Sequence, residues 1–277
     1  MIQEIFPHGF NNQFLTDKHI GENDYIFHFH ENSMLLKIQG EEIEVPQKKD
    51  FSEISDGTEH TFLFTLDHVS CFLIWDDLKS EGSHLAYKEI SFFRTTGQRE
   101  IAWTSLVAFQ LMNWYEQNKF CGKCGTRTRL KPDERAIQCP VCHTVVYPKI
   151  SPAIIVAIVS KNKILLARNS NFPGNWYSLI AGYADIGESL EEALVREVKE
   201  EVGLDVKHIR YYKSQPWPLS SSMMIGFIAE ADESQPIHID EKEISEAAWF
   251  TRGNLPNHPP NISISGEMIE KFERGEL

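Results

Sequence analysis

AGYADIGESLEEALVREVKEEVGL (181–204) carries two signals at once, a sharply delimited helix and a surplus of negative charge along one side of it. Ser189, with Glu192 three residues on, forms a capping box that starts the helix. Leu190, Ala193, Leu194 and Val198 supply its apolar stripe, and Gly203 stands where a left-handed residue ends it. At about 3.6 residues per turn, Glu197, Glu200 and Glu201 fall at i, i+3 and i+4 and share a face. Like charges at that spacing repel by roughly 0.2–0.5 kcal/mol per pair, and nothing local neutralises all three. Gly182 and Gly187 let the loop before the helix turn tightly. Loop, carboxylate face and glycine stop together make a platform for a divalent cation. Hard oxygen ligands suit Mg²⁺ or Mn²⁺, which keep waters and bind substrate phosphates. The plainer alternative is a solvated acidic helix face.

Upstream, PAIIVAIVS, a Lys161–Asn162 turn and KILLARN read as a hairpin of buried strands, and strand and helix signals alternate from there to Leu277. Residues 1–118 read as a β-rich domain ending in a helix. DYIFHFHEN, SMLLKIQG, EEIEVP, HTFLFTLDH and VSCFLIWDD are short strands between polar turns, and IAWTSLVAFQLMNWYEQNKF has helical apolar spacing. His28 and His30 fall on the same side of a strand, which serves either a metal or a solvated strand face. Cys71 reads as a buried, inert core thiol.

Between these segments lies CGKCGTRTRLKPDERAIQCPVCH (121–143), which holds four of the five cysteines as two CxxC pairs. Cys121, Cys124, Cys139 and Cys142 have zinc-ribbon spacing, so residues 119–146 are expected to form a ribbon around structural Zn²⁺. Four thiolates leave no position for a reactive water, and His143 is then a spare surface residue. A redox role for a CxxC pair is the alternative.

The 27 basic and 40 acidic residues leave a net charge of −13, which argues against generic binding to nucleic-acid backbone or anionic membrane. It leaves room for a small anionic substrate held through a cation. MIQEIFPHGF lacks the basic and apolar regions of a signal peptide, and AIIVAIV (153–159) is far too short to span a bilayer. A cytoplasmic location without membrane contact is the expectation.

Gly182, Glu188, Arg196, Glu197, Glu200, Glu201 and Gly203 fit every fixed position of the Nudix box, with Val198 and Leu204 at its apolar positions. The chain thus resembles the Nudix hydrolases. The resemblance implies an α+β fold, with residues 147–277 forming a Nudix α/β/α sandwich with a mixed sheet behind the ribbon and the β-rich N-terminal domain. It also implies metal-dependent hydrolysis of a nucleoside diphosphate linked to another moiety. Glu197 and Glu201 would be metal ligands. Glu200 would be a further ligand or the group that orients or deprotonates the water. Arg196 would orient a neighbouring glutamate, and Glu188 would support the loop–helix turn or an outer metal. Ala181 would offer its carbonyl to a metal.

Downstream, SQPWPLSSS (214–222) is similar to the SQPWPFPxS signature of the NADH pyrophosphatase branch, which carries an N-terminal domain and a four-cysteine ribbon in this order. Gln215, Pro216, Trp217, Pro218 and Ser222 match, and Ser221 lies between them. Leu219 and Ser220 replace Phe and Pro, which keeps another dinucleotide such as ADP-ribose in play. The tryptophan and prolines make a stiff, flat surface suited to a base or nicotinamide. The branch implies cleavage of NAD(H) to nicotinamide mononucleotide and AMP, and NAD-capped RNA 5′ ends as substrate. It further implies a homodimer, Glu243 as a late metal ligand, and Tyr147, Tyr183, Glu134, Arg94 and Ser265 as pocket positions. Lys123, Arg127, Arg129 and Lys131 in KCGTRTRLK form the one short basic patch that RNA could use. A non-catalytic nucleotide sensor, or a ribbon that only scaffolds partners, is the rival from another class.

Overall fold

The computed structural model describes every residue except 17, 41, 56, 79–83 and 171–174. The chain divides into two compact units, one of residues 2–149 and one of Met1 with residues 150–277.

In the first unit, one sheet orders β1 (Phe10–Asn11), β6 (His60–Leu66), β7 (Val69–Ile74) and β2 (Tyr25–Phe27). A second sheet holds β3 (Phe29–His30), β4 (Ser33–Gln39) and β5 (Glu42–Glu44), with β8 (Leu85–Glu89) on the other side of β4. The β6–β7 hairpin turns through Asp67 and His68, both at positive φ, as a tight right-twisted hairpin requires. Phe62, Phe72, Ile26, Leu35 and Ile74 fill a core cluster, and α1 (Arg99–Gln117) buries Trp103, Leu106 and Trp114. Cys71 is fully buried, and desolvation holds its thiol far above the ordinary range, as an inert core thiol should be.

His28 and His30 do not share a strand face. The chain passes from one sheet to the other at His28, which is buried and hydrogen-bonded to the Tyr87 hydroxyl at 2.9 Å, while His30 is exposed. The ribbon adds β9 (Arg129–Leu130), β10 (Ile137–Gln138) and β11 (Val145–Val146), all antiparallel.

The second unit is built on a mixed sheet in the order β15 (Lys207–Trp217), β16 (Ser222–Glu230), β12 (Ser151–Ser160), β13 (Lys163–Asn169) and β17 (Ile244–Thr251). β14 (Ile180–Tyr183) pairs with the first half of β12. β12 and β16 run parallel, and the other pairs are antiparallel. PAIIVAIVS is apolar at successive positions because both faces of β12 are covered. Ile154, Val156 and Ile158 pack with α2 (Leu190–Val202), and Ile155 and Ala157 pack with α3 (Ile264–Arg274). This is the expected α/β/α sandwich. Ala193, Leu194, Val198 and Val202 seat α2, each fully buried, and the larger aliphatic side chains contribute about 1.5–3 kcal/mol apiece. No helix among the described residues is long and apolar enough to cross a membrane.

Candidate active site

The capping box closes at both ends: Ser189 Oγ accepts from Glu192 N–H, and Glu192 Oε2 accepts from Ser189 N–H at 2.8 Å. Gly203, at φ 74°, ends α2 with its N–H on the Lys199 carbonyl. Between these caps, α2 presents the glutamates beside β14.

Gly182 lies inside β14 rather than in a turn, and Gly187 is the glycine that turns, at φ 94°. A Cβ on Gly182 would sit 2.1 Å from the Glu197 carboxyl carbon and 2.3–2.4 Å from its oxygens. The missing side chain is therefore the space in which the Glu197 carboxylate rests. Gly182→Ala is expected to leave folding intact, since only the end of a flexible side chain must move. Displacing that carboxylate by about 1 Å should cut turnover about 100-fold. Equal kcat in the variant, at unchanged melting temperature, would refute this.

Arg196 organises the cluster. Its guanidinium makes a two-point contact with Glu188 at 2.5 and 2.8 Å, and reaches Glu197 at 2.8 Å, Glu200 at 3.1 Å and the Tyr183 carbonyl at 3.0 Å. Glu188 also accepts from the Asp185 N–H at 2.9 Å, so it braces the turn into the helix. Arg196 and that N–H hold its carboxyl down at about 2, and its partners push the guanidinium pKa up further still.

Glu201 has no such partner. It is only 7 % exposed and, among the described residues, no hydrogen bond reaches its carboxylate. Burial, followed by the fields of Glu197, Glu243, Asp240 and Glu200, raises its pKa to about 8. One guanidinium does not neutralise this group of acids. Hard oxygen donors concentrated without enough positive charge fit a divalent cation such as Mg²⁺ or Mn²⁺.

The acidic run after β16 resolves into separate roles. Glu246 pairs with Arg168 at 3.4 Å, whereas Glu243 and Asp240 face Glu201 closely enough to shift it. Asp240 carries no motif in the sequence. It arrives through its N–H bond to the Glu201 carbonyl at 3.1 Å, a contact between residues 39 apart.

SQPWPLSSS is a hairpin, not a free loop. Its first half ends β15, Pro218–Ser220 forms a 3₁₀ turn, Ser221 is left-handed, and Ser222 opens β16. Gln215 is fully buried: its amide donates to the Ile262 carbonyl at 3.0 Å and accepts from Ile264 N–H at 2.6 Å, which fixes the start of α3. Ser222 is buried too, bonded to the Ser220 hydroxyl at 2.8 Å and the Tyr183 hydroxyl at 3.1 Å. Pro218 is buried, and Pro216, Trp217 and Leu219 are half-buried. Ser265 is buried against Ser178 at 2.9 Å. Ala181 lies in β14, paired with Ile155. Tyr183 thus ties the two motifs together, its carbonyl on Arg196 and its hydroxyl on the hairpin.

Arg94, Glu134 and Tyr147 belong to the first unit, where the Tyr147 hydroxyl donates to Glu134 at 3.2 Å and Arg94, exposed, ends a 3₁₀ turn that buries Ile90 and Phe93. In the ribbon, the four Sγ atoms lie within 4.8 Å of one another, with approaches of 3.5–3.6 Å, near the ~3.8 Å edge of a tetrahedral zinc–thiolate site. The two knuckles are alike. Gly125 and His143 take the same left-handed position and return N–H bonds to Cys121 and Cys139 at 2.8 and 3.1 Å. His143 is thereby a turn residue, exposed and outside the thiolate set.

A sandwich whose capped helix lays an Arg-braced glutamate face over a strand glycine defines a Nudix domain. The NUDIX domain model matches residues 149–272, a model described as NADH pyrophosphatase-like rudimentary NUDIX domain matches 23–114, and the NADH pyrophosphatase zinc ribbon domain matches 116–147. The NAD-capped RNA hydrolase NudC of Pseudomonas fluorescens (strain Pf0-1) is 38% identical over 207 residues, covering 75% of each chain. Its namesake in Pseudomonas aeruginosa (strain LESB58) is 41% identical over 165 residues, 60% of this chain and 59% of that one. The Vibrio vulnificus (strain CMCP6) protein of the same name is 42% identical over 166 residues, 59% and 62% respectively. The match thus spans about three-fifths of the P. aeruginosa and V. vulnificus relatives. The chain belongs to the NADH pyrophosphatase, or NudC, family of Nudix hydrolases. The β-rich N-terminal region gains a meaning that its strand pattern alone does not carry: it matches a rudimentary Nudix domain, and α1 carries no run of glutamates like that of α2.

Proposed function

We propose that this protein hydrolyses the pyrophosphate of NAD(H) to nicotinamide mononucleotide and AMP, and removes NAD caps from RNA 5′ ends. The observation that carries this reading is the link through Tyr183, which joins the under-neutralised glutamate face to the QPW hairpin in one unit. The relatives' name, NAD-capped RNA hydrolase, supports the substrate.

Glu197, Glu200, Glu201 and Glu243, with the Ala181 carbonyl, would hold Mg²⁺ or Mn²⁺. When bound, the cations supply charge neutralisation on the pyrophosphate and acidify a water. The protein's own groups do the rest. Arg196 fixes Glu197 and Glu200 through its Nη1, so neither must reorganise as charge develops. Glu200, the most exposed of the three glutamates on the face, is placed to orient the water or take its proton. Tyr183 and Trp217 offer aromatic surface for a base or nicotinamide, and Leu219, Ser220 and Ser221 shape the rim of that hairpin. The protein is taken as a cytoplasmic homodimer, which sedimentation of the purified chain tests.

The function itself is tested by product analysis with NADH, ADP-ribose and an NAD-capped RNA, in Mg²⁺ and in Mn²⁺. AMP and reduced nicotinamide mononucleotide from NADH are the expected products. Faster cleavage of ADP-ribose would mean that Leu219 and Ser220 have redirected the hairpin. No cleavage of any substrate would favour a nucleotide sensor.

A further inference from the structure

The first unit contains a cavity of about 230 Å³ that the pyrophosphate chemistry does not use, lined by Trp75, Tyr115, Lys119, Arg127 and Arg129, with Glu59 among its walls. Its volume lies below the ~300–1,000 Å³ of sites for drug-sized ligands, so it has room for one nucleotide unit at most. Its chemistry is specific. Trp75 is anchored by its indole N–H on the Thr61 hydroxyl at 2.9 Å and stands edge-on to Tyr115, ring centres 6.0 Å apart. The Lys119 ammonium lies over one face of the Trp75 ring, 5.3 Å from its centre, and is paired with Glu116, so a base against Trp75 uses the other face or displaces Lys119. Arg127 and Arg129 have no carboxylate partner among the described residues.

The basic stretch of the ribbon is therefore not uniform. Lys131 is paired with Glu134 at 2.5 Å and Asp133 at 3.4 Å, and Lys123 lies outside the cavity. In a chain of net charge −13, the cavity thus has two arginines without a carboxylate partner and a fixed indole among its lining residues. Guanidiniums take phosphate oxygens, an aromatic face takes any base, and a carboxylate accepts from ribose hydroxyls.

We infer that this cavity binds one nucleoside phosphate, with Arg127 and Arg129 on the phosphate and Trp75 and Tyr115 against the base. The unit comes either from an RNA chain or from a free nucleotide. In the RNA case the site deepens the proposed decapping activity and rests on it for its biological use, although binding itself does not.

The test compares the wild-type protein with Arg127→Gln/Arg129→Gln, with Trp75→Leu, and with Lys123→Gln/Lys149→Gln as a charge control outside the cavity. Zinc content verifies folding. Affinity for a labelled octa-adenylate with a 5′-hydroxyl is read by anisotropy, and affinity for 5′-AMP by calorimetry, both without added divalent cations. The arginine pair should weaken octa-adenylate about tenfold or more, and flatten its log affinity against log salt by about 0.7 for each phosphate no longer neutralised. Trp75→Leu should weaken it as well, through the missing stacking surface. The charge control should change little, and NADH hydrolysis should be unaltered in all variants. If AMP weakens in parallel, the site takes free nucleotides; if only the RNA weakens, it takes a unit of the chain. Equal losses in the arginine and control pairs, or no loss in either, overturn the proposal. Absence of NADH cleavage by the wild type would instead overturn the proposed activity, leaving the binding result readable.

Discussion

Glu201→Gln is expected to lower NADH turnover by about 10³-fold and, at pH 8, to raise the melting temperature of the protein measured without added divalent cations. The first effect would follow from losing a carboxylate proposed to hold the cation that neutralises negative charge developing on the pyrophosphate. The second follows from the same burial that makes the site useful. In the folded chain the Glu201 carboxyl keeps its proton up to about pH 8, whereas its ordinary value is 4.5. Between those values the folded state binds more protons than the unfolded one, so stability falls as pH rises through that window and is flat above it. Glutamine is neutral throughout and escapes the loss. Allowing for relaxation of the neighbouring carboxylates, the relief at pH 8 is on the order of 2 kcal/mol, or about 4–8 °C for a domain of this size. At pH 4.5 the two proteins should melt together. Mg²⁺ or Mn²⁺ should raise the wild-type melting temperature strongly and the variant's weakly. Melting curves at pH 4.5 and 8, with and without cation, and steady-state rates check both halves. A variant no more stable than wild type at pH 8 would show that burial and neighbouring carboxylates do not penalise the Glu201 charge, and retained turnover would remove it from the reaction.

Several features of this site can be read from the chain because they are local. Ser189, Glu192 and Gly203 mark the ends of α2 within a few residues, and the glutamate face follows from helical spacing alone. The ribbon cysteines likewise announce themselves by spacing. What escapes such reading depends on contacts between distant residues. Gly182 looks like a turn glycine in sequence, yet its reason is the Glu197 carboxylate laid across it from the next element. The prolines of SQPWPLSSS suggest a loop, but β15 is the edge strand of its sheet, where Pro216 removes no required ladder bond. Gln215 looks like a ligand contact and is spent on the backbone of residues 262 and 264. Asp240 joins the acidic cluster through a backbone bond that no local pattern encodes.

Removing zinc should unfold the ribbon, by the other large effect expected of this protein. Residues 119–146 hold only three two-residue strands, and their buried apolar side chains are Cys121, Ala136, Ile137 and Cys139. So small a core cannot offset the conformational entropy of ordering the segment, whereas structural zinc sites contribute about 10–16 kcal/mol at neutral pH. Two of the four thiols, Cys124 and Cys142, are prepared for the metal, whereas Cys139, buried among the other sulfurs, is shifted upward. The Thr144 hydroxyl and N–H bring Cys142 down to about 6 from 9.0, and the corresponding groups of Thr126 lower Cys124. A folded-state value below the unfolded one gives stability that is fully present above pH 9 and is lost as pH falls through about 6. Protons and zinc compete for the same sulfurs, so zinc retention should fail on the acid side of that point. Hydrogen exchange of residues 119–146, with zinc quantified at each pH, reads this directly. Protection should vanish with a strong chelator, or in Cys139→Ser, and return when zinc is restored to the wild type. A ribbon that stays protected with no zinc bound would show that hydrogen bonds and packing alone hold the knuckles, and the four cysteines would then need another explanation.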